Sequence, residues 1–228
     1  KLVRIMASNE IKDRISEQIG KFNILSMGET EGYSSYSPFH ITNNNGYLGS
    51  HIDHSYIKNG SFRHIANTIF YASNTWENNW GGNTILFSQN GLIQKVIVDP
   101  VPNRLIIFIH TANSFHGVKK YFSPNNILRR TFYHDYYVQE KDIKNVMDNI
   151  NINRKYKLNH CIHDTTFIPF FPFGLNKVKL YDLLNPGNLR YLHLYLIYLL
   201  NFYLKTNIFS VRGVIRKLKL KIKNILFI

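Results

Sequence analysis

A mainly antiparallel β fold, a sandwich or barrel of jelly-roll type with short flanking helices, is what this chain of 228 residues predicts. Two observations carry that expectation. From residue 46 onward, short runs rich in β-branched and aromatic residues recur at roughly regular intervals. Clusters of turn-forming residues separate them, and the pattern of strands alternating with helices that marks a parallel sheet is missing.

In chain order, residues 8–21 predict a short helix, with Ser8 as N-cap and Ile11, Ile15 and Ile19 spaced by four on one face. The strand runs are IANTIFYA at 65–72, TILF at 84–87, KVIV at 95–98, RLIIFI at 104–109 and RRTFYHDYYV at 129–138. Between them stand NNWGGN, SQNG, DPVPN and SPNN, which carry Gly, Pro, Asn and Asp where the chain must reverse. The polar stretch QEKDIKNVMDNININ then reads as a linker. No internal repeat is visible. The expected organisation is an N-terminal helical flank at 1–32, a β core at 33–140 and a basic, aromatic C-terminal extension at 141–228, expected to be helical.

Composition narrows the function. With 44% hydrophobic residues, 16 Phe and 15 Tyr, the chain has enough apolar surface to offset its conformational entropy, so it is globular. Cys161 is the single cysteine and cannot form an internal disulfide, and the opening KLVRIMASNEIKDR contains no apolar run, so a reducing, cytoplasmic setting is expected. A net charge of +14 invites a nucleic-acid reading, but its distribution argues against one. Residues 1–150 carry 15 basic against 12 acidic side chains, whereas residues 151–228 carry 13 against 2. The basicity therefore belongs to the tail and not to the β core.

The stretch GYLGSHIDHS, residues 46–55, concentrates the chemistry. In a strand, side chains two apart share a face, so His51 and Asp53 can reach one ion, while Ile52 points into the opposite layer and His54 points away. A His-x-Asp pair is weak evidence alone, and a third ligand is needed. His116, in SFHGV, offers it, because the intervening strands can bring the chain back beside the first pair. Two imidazoles and one carboxylate on one face leave the opposite positions open, which suits a non-haem Fe(II) that must also hold a co-substrate and dioxygen.

Taken in order, HID, RHIANTIFYASNTWENNWGGNTILF, PVPNRLIIF, FHGV and RRTF resemble the Fe(II)- and 2-oxoglutarate-dependent dioxygenases, particularly the prolyl-4-hydroxylase-like branch, over about residues 33–138. The resemblance implies a double-stranded β-helix, iron held by His51, Asp53 and His116, and oxidative decarboxylation of 2-oxoglutarate to succinate, with ascorbate as a candidate reductant. It also implies a basic residue, then any residue, then Ser or Thr, for the far carboxylate of 2-oxoglutarate. RRT supplies Arg129 with Thr131 on one strand face, and Arg129 is preferred to Arg130, although a one-residue slip in register would exchange them. The interval from His116 to Arg129 is long for the family, and YFSPNN is read as a loop that absorbs it. The carboxylate of Asp53 favours hydroxylation over halogenation, since halogenating relatives lack it.

Other conspicuous residues take structural readings. His110 is expected to be packed or partnered. The cluster His160, Cys161, His163 and Asp164 has no second paired set and is not expected to bind zinc. Arg63 and Trp76 brace the core, and Gly81 and Gly82 serve a tight turn. Three function classes follow: a dioxygenase hydroxylating a small molecule, a glycan or a peptidyl side chain with O2; a nucleic-acid demethylase on the same fold, disfavoured because Asp135 and Tyr136 stand where its second arginine belongs; and a non-catalytic, cupin-like binding module. SSYSPFH and YIKNGSFRH are expected to line the entrance. The tail segments YLHLYLIYLLNFYL at 191–204 and VRGVIRKLKLKIKNILFI at 211–228 predict a buried or interfacial segment and a basic amphipathic one. The periodicity of the second fits helix and strand equally, and either form allows peripheral contact with anionic lipid through residues 191–228.

Overall fold

The computed structural model describes residues 1–30, 38–57, 61–89, 91–152, 154, 157–162, 164–167 and 196. Both tail segments, apart from residue 196, together with His163 and parts of the two expected entrance loops, lie outside them. Two helices open the chain, α1 (Leu2–Met6) and α2 (Asn9–Ile19). Then come β1 (Leu25–Ser26), β2 (Phe39–Thr42), β3 (Leu48–Ile52), β4 (Tyr56–Ile57) and β5 (Phe62–Tyr71). β6 (Thr84–Phe87), β7 (Gln94–Val98), β8 (Leu105–Ile109), β9 (His116–Val118) and β10 (Arg129–Gln139) follow, before α3 (Ile143–Asn151) and β11 (Thr166–Phe167).

The strands form two antiparallel sheets. One runs β1-β10-β5-β4, with β2 also on β10 and β8 also on β5; the other runs β11-β3-β9-β6-β7. This is the jelly-roll arrangement the sequence predicts. The five strand runs read from the sequence coincide with β5, β6, β7, β8 and β10 to within a few residues, because each alternates β-branched or aromatic side chains between two environments. In β10, Tyr136 and Val138 turn toward the helices and join Ile65 and Ala66 of β5 in a core with Ile15 and Ile19 of α2. Residues of β10 on the other face, Arg129, Thr131 and Tyr133, look into the space between the sheets, which residues of β3, β6 and β9 line from the opposite side.

One local irregularity positions several side chains. Tyr136 pairs with Ala66 but Tyr137 pairs with His64, so Ile65 is an extra residue in β5. Such a bulge changes which face the following residues occupy. Here it sets His64 on the same inner face as Asn67, whose partner across the ladder is Asp135.

Two expectations about helices need adjustment. The helix at 8–21 is found at 9–19 with Ser8 in the N-cap position, but the Ser8 side chain makes no capping hydrogen bond. The linker reading of 139–153 is incorrect: α3 occupies 143–151 and buries Val146, Met147 and Ile150 against α2. Its polar composition hid a single apolar stripe at helical spacing, which suffices when the opposite face is solvated.

Candidate metal centre

β3 and β9 are antiparallel neighbours, and their register sets His51 directly opposite His116. Cross-strand partners lie on one face, so the two imidazoles meet, with ring centroids 4.3 Å apart. Asp53 follows one residue past the end of β3 and returns to the same side. Its Oδ1 lies 3.4 Å from Nε2 of His51 and its Oδ2 lies 3.2 Å from Nε2 of His116. Both imidazoles are buried, and Asp53 is only partly covered.

The tautomers follow from the backbone. Nδ1 of His51 donates to the Gly49 carbonyl at 2.8 Å, and Nδ1 of His116 donates to the Ser114 carbonyl at 3.1 Å. A carbonyl can only accept, so each Nδ1 carries a hydrogen and each ring turns its Nε2 to the carboxylate. Two Nε2 atoms and a carboxylate facing one point could hold a metal ion. Burial opposes charge on His116, yet Asp53 beside it holds its pKa above the ordinary histidine value. Burial likewise opposes ionisation of Asp53, but His116 and His51 hold its carboxyl well below the usual range. Asn67 of β5 donates to Asp53 Oδ2 at 2.7 Å and fixes the carboxylate from behind.

The same cavity is lined by Arg129 and Thr131 of β10. Arg129 is buried whereas Arg130 is exposed, which decides the register question the sequence left open. Burial pushes the guanidinium down to about 10, so it remains charged at neutral pH. Nε donates to the Gly82 carbonyl at 2.7 Å, the guanidinium lies 5.6 Å from the centre of the Tyr71 ring, and Nη1 reaches Thr131 Oγ1 at 3.5 Å. Among the described residues, no carboxylate forms an ion pair with it. A buried cation with no counter-charge among the described residues suits an added anion.

Gly82 contributes more than the turn expected of it. It has φ +72°, and a Cβ there would stand 2.9 Å from Arg129 Cδ and 3.2 Å from Nε. Its lack of a side chain is what lets the arginine lie against the backbone. Sequence reasoning also missed Tyr71, whose hydroxyl donates to Thr84 Oγ1 at 2.6 Å under the guanidinium, and Asn67 behind Asp53. Only strand alternation could have pointed to Tyr71 and Asn67, and the bulge obscures it.

One family model matches the chain, that of the 2OG-Fe(II) oxygenase superfamily, over residues 36–134. That segment contains His51, Asp53, His116, Arg129 and Thr131. Residues 36–134 are thus similar to the 2OG-Fe(II) oxygenase superfamily.

Among solved structures, the chain is similar to a Pseudomonas putida prolyl-4-hydroxylase, with 16% identity over 45% of this chain and 50% of that one and a TM-score of 0.32. A prolyl 4-hydroxylase from Phytophthora capsici shows 16% identity over 61% and 43%, with a TM-score of 0.41. A Trichoplax adhaerens prolyl hydroxylase, solved with a peptide fragment of the hypoxia inducible factor oxygen degradation domain, shows 19% over 64% and 57%, with a TM-score of 0.39. The chain spans about half the length of these structures. No curated protein matches it.

The oxygenase family implies Fe(II) and 2-oxoglutarate, and the residues present fit both. His51, Asp53 and His116 offer the ligand atoms, and the buried Arg129 offers a counter-charge to a carboxylate. The other residues singled out in the sequence are placed as follows. Arg63 donates to Glu140. Trp76 Nε1 donates to the Gly81 carbonyl, and the His110 ring is fully buried against His64. Cys161 is exposed, His160 donates to the His64 carbonyl, and Asp164 accepts from Tyr56.

Proposed function

We propose that this protein is an Fe(II)- and 2-oxoglutarate-dependent dioxygenase that hydroxylates an unactivated C–H bond of a small-molecule, glycan or peptidyl substrate. The observation that carries this is the buried Arg129 lining the same cavity as two imidazoles and one carboxylate. The pairing speaks for an anionic co-substrate held at one end by a cation of the protein and at the other by a metal.

His51, Asp53 and His116 hold the metal, and the carbonyls of Gly49 and Ser114 keep the two rings turned to it. Bound there with 2-oxoglutarate, Fe(II) supplies dioxygen activation and C–H oxidation, and the keto acid leaves as succinate and CO2. Arg129 binds the far carboxylate, oriented by Gly82 and Thr131 and supported by Tyr71. Leu48, Ile69 and Val118 line the same cavity and keep water from the reacting groups. His40, packed edge-on against Tyr133 at 4.6 Å, marks the side toward solvent, and the groove past it exposes Phe39, Ile41 and Tyr47. The primary substrate lies along that groove in this reading.

Anaerobic reconstitution with Fe(II) and 2-oxoglutarate, followed by admission of oxygen, tests the proposal. Oxygen-dependent succinate release, stimulated by at least one member of a panel of prolyl peptides, glycans and small molecules, is expected. Failure to bind Fe(II), or no succinate with the metal and keto acid bound, would overturn it.

A further inference from the structure

Behind the metal centre, deeper between the sheets, lies a second histidine-carboxylate group. His54 follows β3, His64 sits on β5 after the bulge, and Asp135 sits on β10; one ligand atom from each lies within 4.8 Å of the others. His64 and Asp135 are almost wholly buried. No linear motif joins them, and the β5 bulge that puts His64 on the inner face is what assembles the group.

The contacts of His64 leave one of its ring nitrogens with a lone pair facing oxygen. Its Nδ1 lies 3.0 Å from the His54 carbonyl, and its Nε2 lies 3.2 Å from the Ala66 carbonyl and 3.5 Å from Asp135 Oδ1. All three neighbours are acceptors. A neutral imidazole has one hydrogen, so whichever nitrogen carries it, the other turns a lone pair toward oxygen. With Nδ1–H donated to the His54 carbonyl, the Nε2 lone pair and the Asp135 carboxylate converge as cation ligands. Nε2 of His54 supplies the third, and the Tyr137 hydroxyl, 3.2 Å from that atom and 3.4 Å from Asp135 Oδ2, stands beside them as a fourth donor.

We propose that His54, His64 and Asp135 form a second cation site, separate from the His51, Asp53 and His116 centre, that takes a divalent ion of the zinc class. Two imidazoles, a carboxylate and one further oxygen make the four-coordinate donor set such an ion prefers. The site ties the end of β3 to β5 and β10. Asp135 is the ladder partner of Asn67, which holds Asp53, so the ion steadies the strand positions on which the first centre depends.

The test needs neither 2-oxoglutarate nor turnover. The full chain, stripped with chelator, is dialysed against Zn(II) alone and, in parallel, against Co(II) alone. Wild type should take up two ions per chain, the His51→Ala/His116→Ala variant one, and the same variant with His64→Ala none. Co(II) in the His51→Ala/His116→Ala variant should show a four-coordinate visible spectrum without a thiolate charge-transfer band, since the exposed Cys161 is not a ligand. His54 is only half buried, so His54→Ala serves if His64→Ala does not fold, and it should weaken the second ion by about ten-fold or more. One ion in wild type with none in the His51→Ala/His116→Ala variant would overturn the proposal and make His64 an imidazolium paired with Asp135. A second ion indifferent to His54→Ala would overturn it equally. Loss of the first centre alone would count against the dioxygenase reading and leave this one standing.

Discussion

At the residue scale, the roles in the first centre separate by what each side chain touches. Replacing His51, Asp53 or His116 with Ala removes a ligand that no neighbour supplies, so Fe(II) binding, read by metal content, and succinate release should fall together to background. In the proposed function Arg129 binds the acid and not the metal. Arg129→Ala should therefore raise the apparent KM for 2-oxoglutarate by about ten-fold or more, as loss of a charge-assisted pair does, with Fe(II) content unchanged. The exposed Arg130 gives a matched control, and Arg130→Ala should leave that KM where it was. His134 governs a different property. Its ring is buried beside Phe132 and Tyr136, and burial pushes it down to about 4 from an ordinary 6.5. Between those values the unfolded chain binds the proton and the folded chain does not, so stability falls as pH drops through that window, by up to about 1.4 kcal/mol per unit for this group. His134→Phe should flatten that part of the acid limb in urea titrations; an unchanged slope would remove His134 from the account.

Elements are held by packing more than by local propensity. α2 and α3 are short, and neither would persist alone in water. Together they cover the outer face of β5 and β10 with Ile15, Ile19, Val146, Met147 and Ile150. Ile19 is fully buried there, and Ile19→Ala should cost about 2–5 kcal/mol in equilibrium unfolding, as a core truncation that leaves a cavity does. The cost falls on the sheet that carries Arg129 and Asn67, so the variant should also lose activity at temperatures where its folded fraction declines. β3 and β9 form the other sheet's contribution. Their two-histidine register is a single cross-strand pair, so the centre is sensitive to slippage between them.

For the whole molecule, charge is divided unevenly along the chain. The β core is nearly balanced, while residues 151–228 carry 13 basic side chains against 2 acidic ones. Among the described residues no helix is long and apolar enough to cross a membrane. We propose peripheral attachment through residues 191–228, in which apolar side chains enter the headgroup boundary and lysines meet anionic lipid. The full chain should sediment with phosphatidylserine vesicles at low salt and be released at high salt, whereas a form ending near residue 189 should remain in solution and keep its Fe(II) site. Equal partitioning of the two forms would remove the membrane from this picture.

Much of the first centre could be read directly, because strand alternation is a local rule. It makes His51 and Asp53 neighbours, and it separates Arg129 and Thr131 from Arg130 once one register is chosen. The sequence by itself thus determined the strand runs, the three candidate metal ligands and the candidate anion-binding pair. Tertiary structure decided which register holds, since only burial distinguishes Arg129 from Arg130. It also decided that 143–151 is a packed helix, because a polar face looks like a linker until its other face finds a partner. The group of His54, His64 and Asp135 lies furthest from sequence. It depends on one extra residue in β5 and on three strands meeting, and a bulge reverses the alternation rule without leaving a compositional mark.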